Sequence, residues 1–67
     1  MYASVYERIK PFTDGKSATE YVIELASGGW LDYSSKATWT INMARGFPER
    51  GSAIGVAERE GYIVVNK

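Results

Sequence analysis

Alternation of apolar and polar residues predicts a small sheet in the first half of the chain. In EYVIELA (20–26) every second residue is a large apolar one, and the glutamates lie between them, so one face of a strand is wetter than the other. Ser27-Gly28-Gly29 tolerates positive φ, and the apolar, aromatic pattern resumes in WLDY (30–33). The pattern therefore predicts a hairpin with a short loop.

The segment ATWTINMARGF (37–47) is compatible with two structures. As a helix followed by a turn at Gly46, it would open a helix-turn-helix unit; as a strand, it would extend the sheet. Alternation favours the strand, as does the β-branched and aromatic content. We expect its apolar residues to hold the sheet to a helix and its polar residues to face outward. The apolar set is Ala37, Trp39, Ile41 and Met43, and the polar set is Thr38, Thr40 and Asn42.

A helix is predicted over 49–60, followed by a last strand, YIVVN (62–66). Pro48 suits a first helical turn, and Gly61 suits a left-handed cap. Alanines and Ile54 give a narrow apolar stripe. Gly51 and Gly55 weaken the helix, and we expect them to bring its backbone close to the sheet.

The N-terminal residues 1–19 are predicted as an arm, or as a short helix with a loop. Tyr2, Val5, Tyr6 and Ile9 have helical spacing, but an extended arm is the alternative, and the composition of 13–17 is typical of a turn. Residues 20–67 then form a β-β-β-α-β core. The prediction is a single α+β domain, 1–67, with one helix on an antiparallel or mixed sheet of about four strands.

Residues 37–67 carry a further pattern. A tryptophan-bearing segment ends in an alanine and an aromatic residue, an alanine-spaced helix follows, and a valine-rich strand closes the unit. This resembles small uncharacterised α+β proteins encoded by bacteria and their phages, and the resemblance implies the fold alone. The residues that carry it are Trp39, Ala44, Phe47, Ala53, Ala57 and Gly61.

Composition narrows the class of partner. Eight basic residues balance eight acidic ones and are interspersed along the 67-residue chain, which disfavours nucleic acid. Neither a signal peptide nor an apolar run of membrane-spanning length is present, so we expect a soluble cytoplasmic protein and a complete short gene product. A chain of this size buries a small core, and a homodimer would be one way to enlarge it.

Candidate chemistry is sparse. The sequence contains no histidine and no cysteine, so the most frequent general base, thiol nucleophile and soft metal ligands are missing together. Glu20 and Glu24 share a strand face, where solvated carboxylates are the expected state. We predict no catalytic residue, no cofactor and no metal, and a protein that is not an enzyme.

Surplus aromatic residues favour another protein as the partner. Trp30 and Tyr33 are an odd number of positions apart on one predicted strand, so a one-layer core buries at most one of them. The alternative is that the N-terminal segment covers the second face. Exposed Trp and Tyr are enriched at protein interfaces, and we predict an interaction surface. Its residues are Trp30, Tyr33, Thr38, Thr40 and Asn42.

The runner-up function is a winged-helix DNA-binding regulator. In that interpretation residues 38–45 form the first helix and Glu49–Glu60 the recognition helix. The proposed recognition helix has three glutamates against two arginines. Since phosphate neutralisation dominates DNA affinity, this charge argues against the interpretation.

Overall fold

One helix packs on a mixed five-stranded sheet, which confirms the predicted α+β class. The computed structural model describes residues 1–11 and 17–67, and the side-chain surroundings at 1–9 and 18–67. The sheet order is β4-β3-β2-β1-β5, with β5 parallel to β1 and the other neighbours antiparallel. The elements are β1 (Tyr2–Pro11), β2 (Ser17–Leu25), β3 (Trp30–Leu31), β4 (Ala37–Thr38), a 3-10 helix (Ile41–Met43), α1 (Arg50–Arg59) and β5 (Ile63–Val64).

The N-terminal segment is a strand inside the sheet, so the predictions of a short helix and of an arm outside the core are wrong. β1 pairs antiparallel with β2 from Ala3 opposite Leu25 to Pro11 opposite Ser17. Because both faces of β1 carry apolar side chains, its sequence does not alternate between apolar and polar residues. The apolar residues instead have a spacing that resembles that of a helix. Of the turn predicted at 13–17, only Ser17 lies among the described residues, where it begins β2.

The hydrophobic core lies between α1 and one face of the sheet. Odd-numbered residues of β1 and β2 face the helix, as Ala3, Val5, Ile23 and Leu25 show by their burial. Small side chains on α1 allow close packing against these strands. The buried cluster comprises Ala3, Val5, Ile23, Leu25, Leu31, Phe47, Ala53, Val56, Ala57 and Val64.

The predicted helix is present, but its glycines do not face the sheet. A Cβ added at Gly51 or Gly55 would meet nothing within 4 Å, so both lie on the outer side of α1. The prediction that they bring the backbone close to the sheet is therefore wrong. Gly61, at φ +92°, has the left-handed conformation predicted for the helix end.

The strand predicted over 37–43 ends at Thr38, and its apolar residues do not join the core. Trp39 is 77% exposed, Ile41 40% and Met43 64%. The cause is the length of β3, because its two residues can pair only with Ala37 and Thr38. A longer β4 would have no neighbour to pair with, and the chain turns into the 3-10 helix instead.

The last strand lies at the edge of the sheet, beside β1. Beyond β5, the Asn66 side chain continues the pairing: its Oδ1 accepts a hydrogen bond from the Val5 amide at 2.9 Å. Its Nδ2 donates to the Val5 carbonyl at 2.8 Å. One carboxamide thus satisfies the backbone groups of an edge residue as a neighbouring strand would.

We expect Gly55→Ala to stabilise the protein by about 1 kcal/mol, because alanine is the better helix former and the added methyl meets open space. Gly61→Ala provides the control, since alanine at positive φ is strained and should destabilise. Urea denaturation measures both. Shifts of the same sign in the two variants would contradict this account of α1.

Candidate functional site

Within residues 1–11 and 17–67, no α-helix covers the face of the sheet opposite α1. Strand pairing identifies its members, because residues directly opposite each other on neighbouring strands point to the same side. Tyr6 lies opposite the even-numbered Val22, and Tyr2 lies opposite Ile63. We call the part with solvent contact the open face; it comprises Tyr2, Ser4, Tyr6, Glu24, Trp30, Thr38 and Ile63.

A row of four side chains crosses the open face from strand to strand. Ser4 lies opposite Glu24, Glu24 opposite Trp30, and Trp30 opposite Thr38. All four are half-buried. Because directly opposite side chains have Cβ atoms about 5 Å apart, the row places a hydroxyl, a carboxylate, an indole and a second hydroxyl in sequence.

Apolar and aromatic side chains lie on both sides of this row. Tyr2 is 55% exposed and its neighbour Ile63 58%, and they lie towards the start of β1. Tyr6 is 46% exposed and lies on the other side of the row, two residues beyond Ser4 on the same strand. The surface is thus mostly apolar in character, with one carboxylate near its middle.

At the other end of this face, the loop that contains the 3-10 helix crosses the sheet. Arg8, which shares the face because it pairs with Glu20, donates from Nη1 to the Ile41 carbonyl. Val22 and Ala44 are 0% and 1% exposed, yet neither belongs to the main cluster. We infer that the loop covers Val22 and ends the open face there.

The ion pair between Arg8 and Glu20 anchors the loop. Arg8 Nη2 lies 2.8 Å from Glu20 Oε2, and the two side chains are only 12% and 24% exposed. A Cβ at Gly46 would lie 2.5 Å from Glu20 Oε2, so the loop backbone passes directly over this carboxylate. A side chain at position 46 would displace this carboxylate from its present position.

After the loop, the chain returns to the outer edge of β2. Phe47 and Tyr21 exchange backbone hydrogen bonds of 2.8 and 2.9 Å. Phe47 enters the main core from there. The loop is therefore fixed at both ends and crosses the sheet between them.

Two further exposed aromatic side chains lie on the loops rather than on the sheet. Trp39 packs against the turn after β2, where a Cβ at Gly28 would lie 2.8 Å from Trp39 Cζ3. Most of the indole nevertheless remains exposed. Tyr33, 69% exposed, accepts a 3.5 Å contact at its hydroxyl from the Gly46 amide.

The structure brings together two of the five residues predicted from sequence as an interaction surface. Trp30 and Thr38 are paired neighbours on the open face. Tyr33 lies in the turn after β3, and Thr40 and Asn42 lie at the 3-10 helix, all three exposed. The prediction that Trp30 and Tyr33 lie on opposite faces of one strand is wrong, because β3 ends at Leu31 and Tyr33 lies beyond it.

The predicted interaction surface did not include Tyr2, Tyr6 and Ile63, which are the most exposed large side chains of the open face. Their signal was present, since Tyr2, Ser4 and Tyr6 occupy alternate positions, but the helical interpretation of the N-terminus concealed it. The alternative that the N-terminal segment covers the second face is wrong, because that segment forms part of the sheet.

Among the described residues, no group of three His, Cys, Asp or Glu side chains could hold a metal ion. No helix within residues 1–11 and 17–67 is long and apolar enough to cross a membrane. No protein-family model matches the chain, and no curated protein or solved structure is significantly similar to it. Function must therefore be argued from the surfaces themselves.

Arg8→Ala is expected to destabilise the protein by about 1.5–3 kcal/mol, because it removes charge-assisted hydrogen bonds and leaves a shielded Glu20 without its cation. Lys67→Ala is the control: its ion pair with Glu58 is exposed on both sides, and a change below about 1 kcal/mol is expected. Urea denaturation compares the two variants. Equal effects would show that Arg8 does not anchor the loop.

Proposed function

We propose that this protein is a small non-catalytic protein-binding module that docks on another protein through the open face. The main support for this proposal is the exposure of Tyr2, Tyr6 and Ile63 on a sheet face that no α-helix of the described residues covers. Tyr2 and Ile63 are paired neighbours, and Tyr6 lies on the same strand as Tyr2 with Ser4 between them, so one face carries three large side chains that are about half exposed. Large apolar groups gathered on one surface mark interaction sites more often than scattered single residues do.

The residue types support the same proposal. Tyrosine and tryptophan are enriched in the centres of protein interfaces, where their rings supply contact area with few rotatable bonds. The open face has Tyr2 and Tyr6 on β1 and Trp30 on β3. A flat sheet face presents them in a fixed arrangement, so docking would require little ordering of the backbone.

The structure does not contain the first helix that the winged-helix alternative requires. That alternative requires a helix over residues 38–45, and the structure has there the end of β4 and one short 3-10 helix, Ile41–Met43. The arrangement of two helices joined at Gly46 is therefore not present. The even balance of charge adds no support for a phosphate-rich partner.

As part of the proposal, the module works in the cytoplasm and acts on a larger protein, as an inhibitor or an adaptor. The absence of histidine and cysteine from the sequence motivates the non-catalytic part. Because the sequence resembles small proteins of bacteria and their phages, we also propose that a phage or another mobile element encodes the protein.

Site-specific photo-crosslinking tests the proposed surface. With p-benzoyl-phenylalanine in place of Tyr2 or Tyr6, irradiation in a lysate of the cells that encode the protein should give discrete adducts heavier than a dimer of the chain. Excess wild-type protein should suppress these adducts by competition. The aromatic replacement preserves the size and exposure of the native side chains.

The same photo-reactive residue at Ser52, which is exposed on α1, is the control for position. It should give none of the adducts obtained from the open face. Adducts identical at Ser52 and Tyr6, or adducts composed only of this chain, would contradict the proposed function.

A further inference from the structure

Glu24 is an isolated charge in the middle of an apolar surface. Its neighbours across the strands are Ser4 and Trp30. Along β2, the next residue on the same face is the apolar Val22, and Glu20 beyond it is paired with Arg8. Glu24 therefore has a serine, a tryptophan and a valine as its nearest neighbours on this face, and the residue is already half-buried in the protein alone.

No cation of the described residues neutralises this carboxylate. The two ion pairs of the described chain join Arg8 to Glu20 and Lys67 to Glu58. The Arg8 guanidinium is bound at the far end of the face, under the 3-10 helix. A partner that covers the open face would thus remove water from a carboxylate that has no internal counter-charge.

This charge constrains what can dock. Burial of an unpaired carboxylate is strongly unfavourable, whereas a charged group that is paired and hydrogen-bonded can be accommodated. A partner segment that covers Tyr2, Tyr6 and Ile63 must therefore bring a cation to Glu24. From this complementarity we propose that the open face recognises an arginine-bearing segment of another protein, with the guanidinium paired to Glu24; this inference rests on the function proposed above.

The neighbours of Glu24 favour arginine over lysine. Trp30 is the residue directly opposite Glu24 on the neighbouring strand, and a planar guanidinium can stack on an indole while its fork donates to carboxylate oxygens. Ser4, on the other side, offers a hydroxyl acceptor for a further N–H group. A lysine ammonium is a compact point charge, so it cannot stack on the indole as a planar guanidinium does, and it has fewer N–H groups to share between the carboxylate and the hydroxyl.

A second copy of the chain is a poorer occupant. In a symmetric dimer built on the open faces, the Glu24 carboxylates of both copies would enter the same interface. Like charges placed together in a desolvated site oppose association. The apolar residues of the face favour burial, but the carboxylate selects for a partner of opposite charge.

The experiment uses blocked tripeptides as probes of the full-length protein. Acetyl-Ile-Arg-Ile-amide at millimolar concentration should shift the backbone amide signals of Ser4, Glu24 and Trp30 in heteronuclear NMR spectra. The peptide in which citrulline replaces arginine keeps the shape and loses the charge, and we expect it to bind about five-fold more weakly.

Glu24→Gln should weaken binding of the arginine peptide by a similar factor, about five-fold, and should bind the citrulline peptide as the wild type does. Glu7→Gln is the matched control, because Glu7 is an exposed glutamate that lies on β1 but on the opposite side of the sheet. It removes the same charge and should leave affinity for the arginine peptide unchanged. Native spectra of both variants show that the fold is retained.

Three results would overturn the inference. The first is equal affinity of wild type and Glu24→Gln for the arginine peptide. The second is a loss of affinity for this peptide in Glu7→Gln as large as the loss in Glu24→Gln. The third is a concentration-dependent dimer in sedimentation velocity that Glu24→Gln strengthens, which would identify a second copy as the occupant. If crosslinks from Tyr2 and Tyr6 persist unchanged in Glu24→Gln, the binding module remains and only arginine recognition fails.

Discussion

The long ladder between β1 and β2 supports every other element of the fold. Nine residue pairs join these strands, whereas β3, β4 and β5 have two residues each. Short strands of this kind have no stability of their own. β3 and β5 pair directly with the central ladder, and β4 pairs with β3. The Tyr21–Phe47 bridge uses the same ladder. The alternating directions of β1 and β2 side chains then decide which residues enter the core and which form the second face.

A single short helix cannot shield this sheet. Ten helical residues extend about 15 Å, whereas a ten-residue strand extends about 33 Å, so α1 covers only part of one side. Ile9, on the helix side of β1 but towards its far end, is 70% exposed. On the second side, the loop held by Arg8 covers the area around Val22. The remaining surface is left to solvent, or to another molecule.

Sequence patterns identified the elements whose two faces differ clearly. β2 alternates strongly, the turn at Gly28 and Gly29 has the positive φ that its glycines allow, and the cap at Gly61 follows from its residue type. β1 was missed because both of its faces carry apolar groups. The segment 37–43 had a convincing alternation, but its outcome depended on the length of β3, which is a property of the partner strand and not of the segment itself.

The interaction surface was predictable only in part for the same reason. The local pattern was enough to predict Trp30 and Thr38 as residues of an interaction surface. Their proximity to Ser4 and Glu24, however, follows from the strand register. Register joins positions that are distant in sequence, and no local periodicity encodes it. Tyr33 and Asn42, assigned by the same local reasoning, lie instead beyond the strand ends, in a turn and in the 3-10 helix.

The pairing of Asn66 with Val5 has a consequence for synthesis in the cell. These residues are 61 positions apart, so Val5 is synthesised well before the residue whose side chain completes its hydrogen bonds. While the ribosome still holds the C-terminal part of the chain, β1 and β2 can pair, but the outer edge of β1 has no partner. Until residue 66 emerges, this edge is open to strands of other nascent chains. The interval between translation of β1 and release of Asn66 is therefore the period in which this small sheet is most exposed to mispairing.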